Sequence, residues 1–169
     1  MSVIEFKQIK PAKLKVDKVR LELLNALRAQ GKEIVADYNQ TVQTWRNKPS
    51  FEVAISLADG GATVLVTPDG PNRKQFEYVD KGTRPHPIFP RRARVLRFSS
   101  GYTAKTAPGV IGSGAGGPSG SPAFAAFIPR HPGTEARRFS EIIEQRRRKR
   151  FQEAMVDAMQ RGMEKAQDG

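Results

Sequence analysis

One apolar stripe constrains this chain more than any other feature. Val16, Val19, Leu23, Leu27, Ile34, Tyr38, Val42 and Trp45 recur at helical spacing, with Gly31 inside the one wider interval. Residues so spaced fall on one face of an α-helix. Pro11 precedes the stripe and Pro49 closes it, as proline does at helix boundaries. Gly31 offers a bend, at about 1 kcal/mol relative to alanine. A helix of about thirty residues is long against a mean of about twelve. Its stripe has to be covered by a sheet or by a neighbouring copy.

The next stretch reads "SFEVAISLADGGATVLVTPDG". Phe51, Val53, Ile55 and Leu57 alternate with small or polar residues, the period of a half-buried strand. "DGG" is a tight-turn signal and "ATVLVT" is the returning strand. "KQFEYVDKG" reads as a third extended piece closing at Gly82, and "RARVLRFSS" as a fourth. Residues 99–122 are rich in Gly, Ser and Pro. Such a segment buries too little to hold itself folded, so it is expected to be a flexible hairpin loop that orders against a neighbouring chain. "AFAAFIP" is the returning strand. A last helix is expected over 135–166, where Phe139, Ile142, Ile143, Phe151, Met155, Met159 and Met163 keep a helical period around "RRRKR".

These elements predict a single α+β domain of 169 residues. A small, mostly antiparallel sheet packs against a long N-terminal helix and a C-terminal helix, with residues 1–14 as an arm. Hydrophobic content is 38%, below the globular average, so the core is expected to be modest. No apolar run reaches bilayer-spanning length. The start alternates apolar and basic residues and lacks the apolar stretch of a signal peptide. Cysteine is absent, which excludes disulfides and points to folding in a reducing cytoplasm.

Charge is unevenly placed. The net charge is +12, and residues 73–97 and 129–150 together hold sixteen Lys/Arg against five Asp/Glu. Such a field favours nucleic acid or an acidic protein surface. Each of these stretches also carries a His-Pro phrase beside Gly-Thr: "KGTRPHPIFPRRARVLRF" and "FIPRHPGTEARRF". The only histidines are His86 and His131. Asp80 and Glu135 are the nearest carboxylates, too few for a convincing metal set, and each histidine precedes proline, which holds it extended. No serine sits in a nucleophile elbow, and "GSGAGGPSG" lacks the lysine of a phosphate loop. The expectation is no enzyme, no metal and no cofactor.

A geometric reading fits the phrases better. Pairing residue 93 with residue 129 sets residue 91 opposite residue 131, which puts both His-Pro phrases at one end of a hairpin. Gly82 and Gly133 permit sharp turns there, and the prolines stiffen the segments after them. Arg84, Arg91, Arg92, Arg130, Arg137 and Arg138 gather at the same corner. Much of the run Arg146, Arg147, Arg148, Lys149 and Arg150 is expected on an exposed or intersubunit face, because burying it needs matching carboxylates and only Glu141, Glu144 and Glu153 lie nearby in sequence. Contact with a partner is therefore expected at Arg91, Arg92, Arg137, Arg138 and this run.

The two phrases and the order of elements resemble the tail-component or tail-completion (neck) proteins of long-tailed double-stranded-DNA bacteriophages. The matching positions are Tyr78, Gly82, Thr83, Pro85, His86, Ile88 and Pro90 in the first phrase. In the second they are His131, Pro132, Gly133, Thr134 and Phe139. A threonine-glycine-leucine segment common after the first helix of that family is absent here. The resemblance implies a structural protein of the virion, assembled in the host cytoplasm. It implies a sixfold ring of copies, contacts with neighbouring neck or tail proteins, and proximity to packaged DNA. A basic nucleic-acid-binding protein is the alternative, although aromatic residues are not interleaved with the basic ones as stacking platforms require.

Overall fold

The computed structural model describes residues 16–58 and 61–167. The expected 1–14 arm, Pro11 and the turn residues Asp59 and Gly60 lie outside the described residues. The fold is α+β, in the order α1 (Val16–Thr41), β1 (Ser50–Ala58), β2 (Gly61–Asp69), α2 (Arg73–Lys81), β3 (His86–Ile88), β4 (Leu96–Thr103), β5 (Gly117–Ala125), β6 (Ile128–His131) and α3 (Phe139–Gln167). The strands form three separate two-stranded antiparallel ladders, β1–β2, β3–β6 and β4–β5, instead of one small sheet.

The stripe of α1 is covered from two sides. Its helix stops at Thr41, and the turn after it returns Trp45 to the core through a backbone bond from Trp45 N–H to the Val42 carbonyl of 2.9 Å. The β1–β2 hairpin pairs Phe51 with Pro68, Val53 with Val66, Ile55 with Val64 and Leu57 with Ala62, the alternation read from the sequence. At Gly31 the helix runs on without interruption. The missing side chain makes room for the hairpin instead, since a Cβ there would lie 2.7 Å from Val53 Cγ1.

On its other side α1 packs along α3, and this contact was not legible in the sequence. The buried positions of α3 are Phe139, Ile143, Ala158, Gly162 and Ala166. The Met stripe lies only partly in this face: Met155 and Met163 are half-buried, while Met159 is 49% exposed. Small residues at intervals of four let the two helices approach closely. A Cβ on Gly162 would lie 2.6 Å from the Val19 Cα. Gly162→Val should cost about 2 kcal/mol, because overpacking at a backbone contact outweighs the gain in helix propensity. A fall in the urea midpoint at unchanged slope checks it.

The expected third strand is a helix. Phe76 and Tyr78 alternate by coincidence: Phe76 is buried while Tyr78 is 56% exposed. The inward positions of α2 are Phe76, Val79 and Asp80, spaced for a helical face. The Arg73–Glu77 pair at 2.8 Å supports the helix at its outer surface. Phe76 lies at the hub of the core, with ring centroids 5.3 Å from Phe51, 5.8 Å from Tyr38 and 6.0 Å from Phe139.

The glycine-rich segment is also more structured than its composition implies. Ser99 to Thr103 belong to β4 and Gly117 to Pro122 belong to β5, so the connection shortens to residues 104–116. A register shift falls between Ser99 and Gly101, where Gly120 takes φ 78°. The connection then folds back onto the end of α1. Thr44 N–H donates to Ser113 Oγ at 3.0 Å, Thr44 Oγ1 donates to the Gly114 carbonyl at 2.8 Å, and Lys105 Nζ donates to the Thr44 carbonyl at 2.6 Å. Backbone hydrogen bonds replace the apolar burial that Gly, Ser and Pro do not provide.

Candidate assembly site

The two His-Pro phrases meet residue by residue. Thr83 and Thr134 form an isolated antiparallel bridge, with backbone bonds of 2.9 and 3.2 Å. Next along the ribbon His86 stands directly opposite His131, and Ile88 opposite Ile128. The expected corner is therefore present, in a different register: residue 86, not residue 91, faces residue 131. The expectation assumed one uninterrupted hairpin. The ribbon instead breaks at residues 89–95, between the β3–β6 and β4–β5 ladders.

The imidazole rings are 5.2 Å apart and tilted by 44°. His86 Nδ1 is 2.8 Å from the Arg84 carbonyl, which only accepts, so that nitrogen donates. His131 Nδ1 accepts from the Gly133 N–H at 3.1 Å. One nitrogen of each ring is thus bonded within its own turn. Among the described residues no group of three or more His, Asp or Glu is placed to hold a metal ion.

Gly82 and Gly133 sit where the chain enters and leaves this bridge, at φ 73° and 89°. Their backbones run against the facing phrase, and side chains there would meet the carbonyls of Thr134 and Thr83. Past the bridge, the end of α2 holds the lead-in to α3. The Val79 and Asp80 carbonyls accept from the Arg137 and Arg138 N–H groups at 3.0 and 2.9 Å. The buried Asp80 carboxylate accepts from the Ser140 N–H at 3.2 Å and from Ser140 Oγ at 2.7 Å. It caps α3 from another element, satisfying donors that a helix start leaves open. This lead-in is why α3 begins at Phe139 and not at 135. Beside it, burial holds the Tyr38 hydroxyl above its ordinary pKa range, with Asp80 and Glu144 adding to the effect and Ser140 opposing it.

Other expected site residues divide into exposed and structural groups. Pro85, Arg84, Arg91, Arg92, Arg130 and Pro132 are exposed, and Ile88 and Pro90 are half-buried. Phe139 is fully buried core, not surface. The Arg137 side chain is only 14% exposed and pairs with Glu135 at 3.3 Å. Arg138 is exposed and takes a positive φ of 55°.

The arginine run does not form one exposed face. Arg147 lies on the inner side of α3, where Nε and Nη2 clasp Asp37 at 2.6 and 2.8 Å and Nη1 meets Glu33. The matching carboxylates come from α1, which sequence proximity could not reveal. Hydrogen bonding to Asp37 holds the Arg147 guanidinium above its ordinary pKa range against the effect of burial. Arg148 and Lys149 pair along the helix with Glu144 and Glu153, while Arg146 and Arg150 are exposed.

At the far end of the same helix pair, Glu22 meets Lys165 at 2.6 Å and Arg161 at 3.4 Å. The hydrogen bond from Lys165, assisted by Arg161, holds the Glu22 carboxyl below its ordinary range despite partial desolvation. A depressed folded-state pKa stabilises above the unfolded value and is lost as pH falls through the folded one. Glu22→Gln should therefore be less stable than wild type at neutral pH, and the difference should vanish in acid. Thermal melts across that range read it.

These features define an α+β protein with a two-helix spine and a basic, rigid strand corner. No helix among the described residues is long and apolar enough to cross a membrane. No family model, curated protein or solved structure matches the chain.

Proposed function

We propose that this chain is a structural subunit of a bacteriophage virion, placed in the neck or upper tail and forming a ring that helps complete the tail and join it to the head. The observation that carries this reading is the pairing of the two phrases. Gly-Thr meets Gly-Thr and His meets His across one short ladder. The Gly-Thr and His-Pro parts of the family resemblance are thus brought together at one corner and are not two unrelated surface patches, with Tyr78 and Phe139 lying outside it. The Nδ1 atoms of both histidines are engaged within their own turns, which suits a scaffold better than a reaction centre. The subunit works without cofactor or catalysis, and its partners are further copies and adjoining neck or tail proteins.

Binding to duplex DNA is the second reading, favoured by residues 81–134, which hold eight Lys/Arg and no Asp or Glu. A salt titration separates the two. A ring subunit should bind DNA weakly while self-assembling. Tight DNA binding that falls steeply between about 50 and 200 mM salt, without self-assembly, supports the second reading instead.

A further inference from the structure

The ribbon of β3–β6 and β4–β5 is tied to the body at both ends, through the Thr83–Thr134 bridge and through the 104–116 connection on Thr44. Between these ties lies its bend, at residues 89–95 and 126–127. Phe89 and Phe127 stack there, with centroids 5.8 Å apart and planes within 9°, yet they are 61% and 49% exposed. Val95 beside them is 44% exposed. Arg91, Arg92 and Arg94 project from the same bend, all exposed. An exposed aromatic pair on a two-stranded ribbon is a poor end state in water, since such ribbons are marginal without cover.

The chain carries a surface of the opposite character. On α3, Glu153, Asp157 and Glu164 are exposed at helical spacing, on the side away from the buried Ala158, Gly162 and Ala166. Val156, beside this acidic stripe, is 56% exposed. Lys149 pairs with Glu153 at 3.8 Å and the exposed Arg150 lies one turn before it. Asp157 and Glu164 have no such partner among the described residues, and Arg161 and Lys165 are engaged with Glu22.

We infer that the ribbon bend of one copy docks on the acidic distal half of α3 of the next copy. The inference rests on the ring reading for the claim that copies meet, and it names the two surfaces. Three arginines and an aromatic pair are set to meet three carboxylates flanked by Val156. DNA would match the arginines but would leave the carboxylate stripe without a partner. The two surfaces differ, so the contact is head-to-tail, and each subunit offers one free bend and one free stripe until a ring closes.

Reciprocal charge reversal tests this. One protein carries Arg91→Glu, Arg92→Glu and Arg94→Glu; the other carries Glu153→Lys, Asp157→Lys and Glu164→Lys. All six side chains are exposed, so both proteins should melt like wild type. Each alone should self-associate roughly a hundredfold more weakly, since like charges then face each other. An equimolar mixture should regain assembly, with the two proteins alternating. If either variant assembles as wild type does, or if the mixture fails to recover, the docking is wrong while the ring reading stands. A wild-type chain that remains monomeric overturns both.

Discussion

An Arg147→Ala protein should lose about 3–5 kcal/mol of folding stability, the usual cost of leaving one partner of a buried ion pair uncompensated. The side chain of Asp37 is 6% exposed and that of Arg147 is 12% exposed. Asp37 accepts two parallel bonds from one guanidinium, a geometry that Lys does not reproduce. Arg147→Lys should therefore recover only part of the loss. The double variant Arg147→Met with Asp37→Leu should return close to wild-type stability, because well-packed apolar residues often replace a buried ion pair at little cost. Arg146→Ala and Arg150→Ala, on exposed positions of the same run, should change stability by less than about 0.5 kcal/mol. Urea unfolding of these proteins separates a structural arginine from its solvated neighbours. An Arg147→Ala protein as stable as Arg146→Ala would show that the clasp contributes nothing.

Gly133→Ala should be comparably damaging, for a different reason. Its φ of 89° disfavours any L side chain, and the added Cβ would overlap the Thr83 carbonyl oxygen across the bridge. Gly82→Ala meets the same difficulty at φ 73° and ψ 174°, with its Cβ 2.6 Å from the Thr134 carbonyl oxygen. Backbone in this region costs about 1–3 kcal/mol for residues other than glycine, and the collision adds to it. Each variant should lose about 3 kcal/mol or more, since relief requires the two phrases to separate. Gly109→Ala, with φ 76° and open space around it, isolates the strain from the collision. Hydrogen exchange at Thr83 and Thr134 should accelerate in the corner variants and not in Gly109→Ala.

How much of the fold was legible in the sequence depended on how local each signal is. The stripe of α1 and the alternation of Phe51 to Leu57 are repeated patterns, and both elements are present, although α1 ends at Thr41 and only the turn after it carries Trp45. The corner was legible because two similar phrases had to meet somewhere, although the break at 89–95 moved the register. Residues 73–81 misled because Phe76 and Tyr78 mimic a strand while the i,i+4 partners Arg73 and Glu77 went unweighed. Four of the five cations of the arginine run are exposed as read; Arg147 departs because its carboxylates, Glu33 and Asp37, lie more than a hundred residues away. Phe139 and Ile143 of α3 are buried as read, but its distal packing face was hidden because Ala158, Gly162 and Ala166 give no hydrophobic signal, whereas the Met positions beside them do. Strand formation in 99–122 was missed because composition reports apolar burial and is silent on backbone pairing.

Native mass spectrometry of the full chain tests the central claim most directly. A ring subunit should pass, with rising concentration, from monomer to one closed species of fixed copy number, six by the family resemblance. Head-to-tail contacts that close leave no free surfaces to extend the assembly. A chain that stays monomeric at every accessible concentration, and binds duplex DNA tightly with a steep salt dependence, would contradict the ring and favour a nucleic-acid-binding protein.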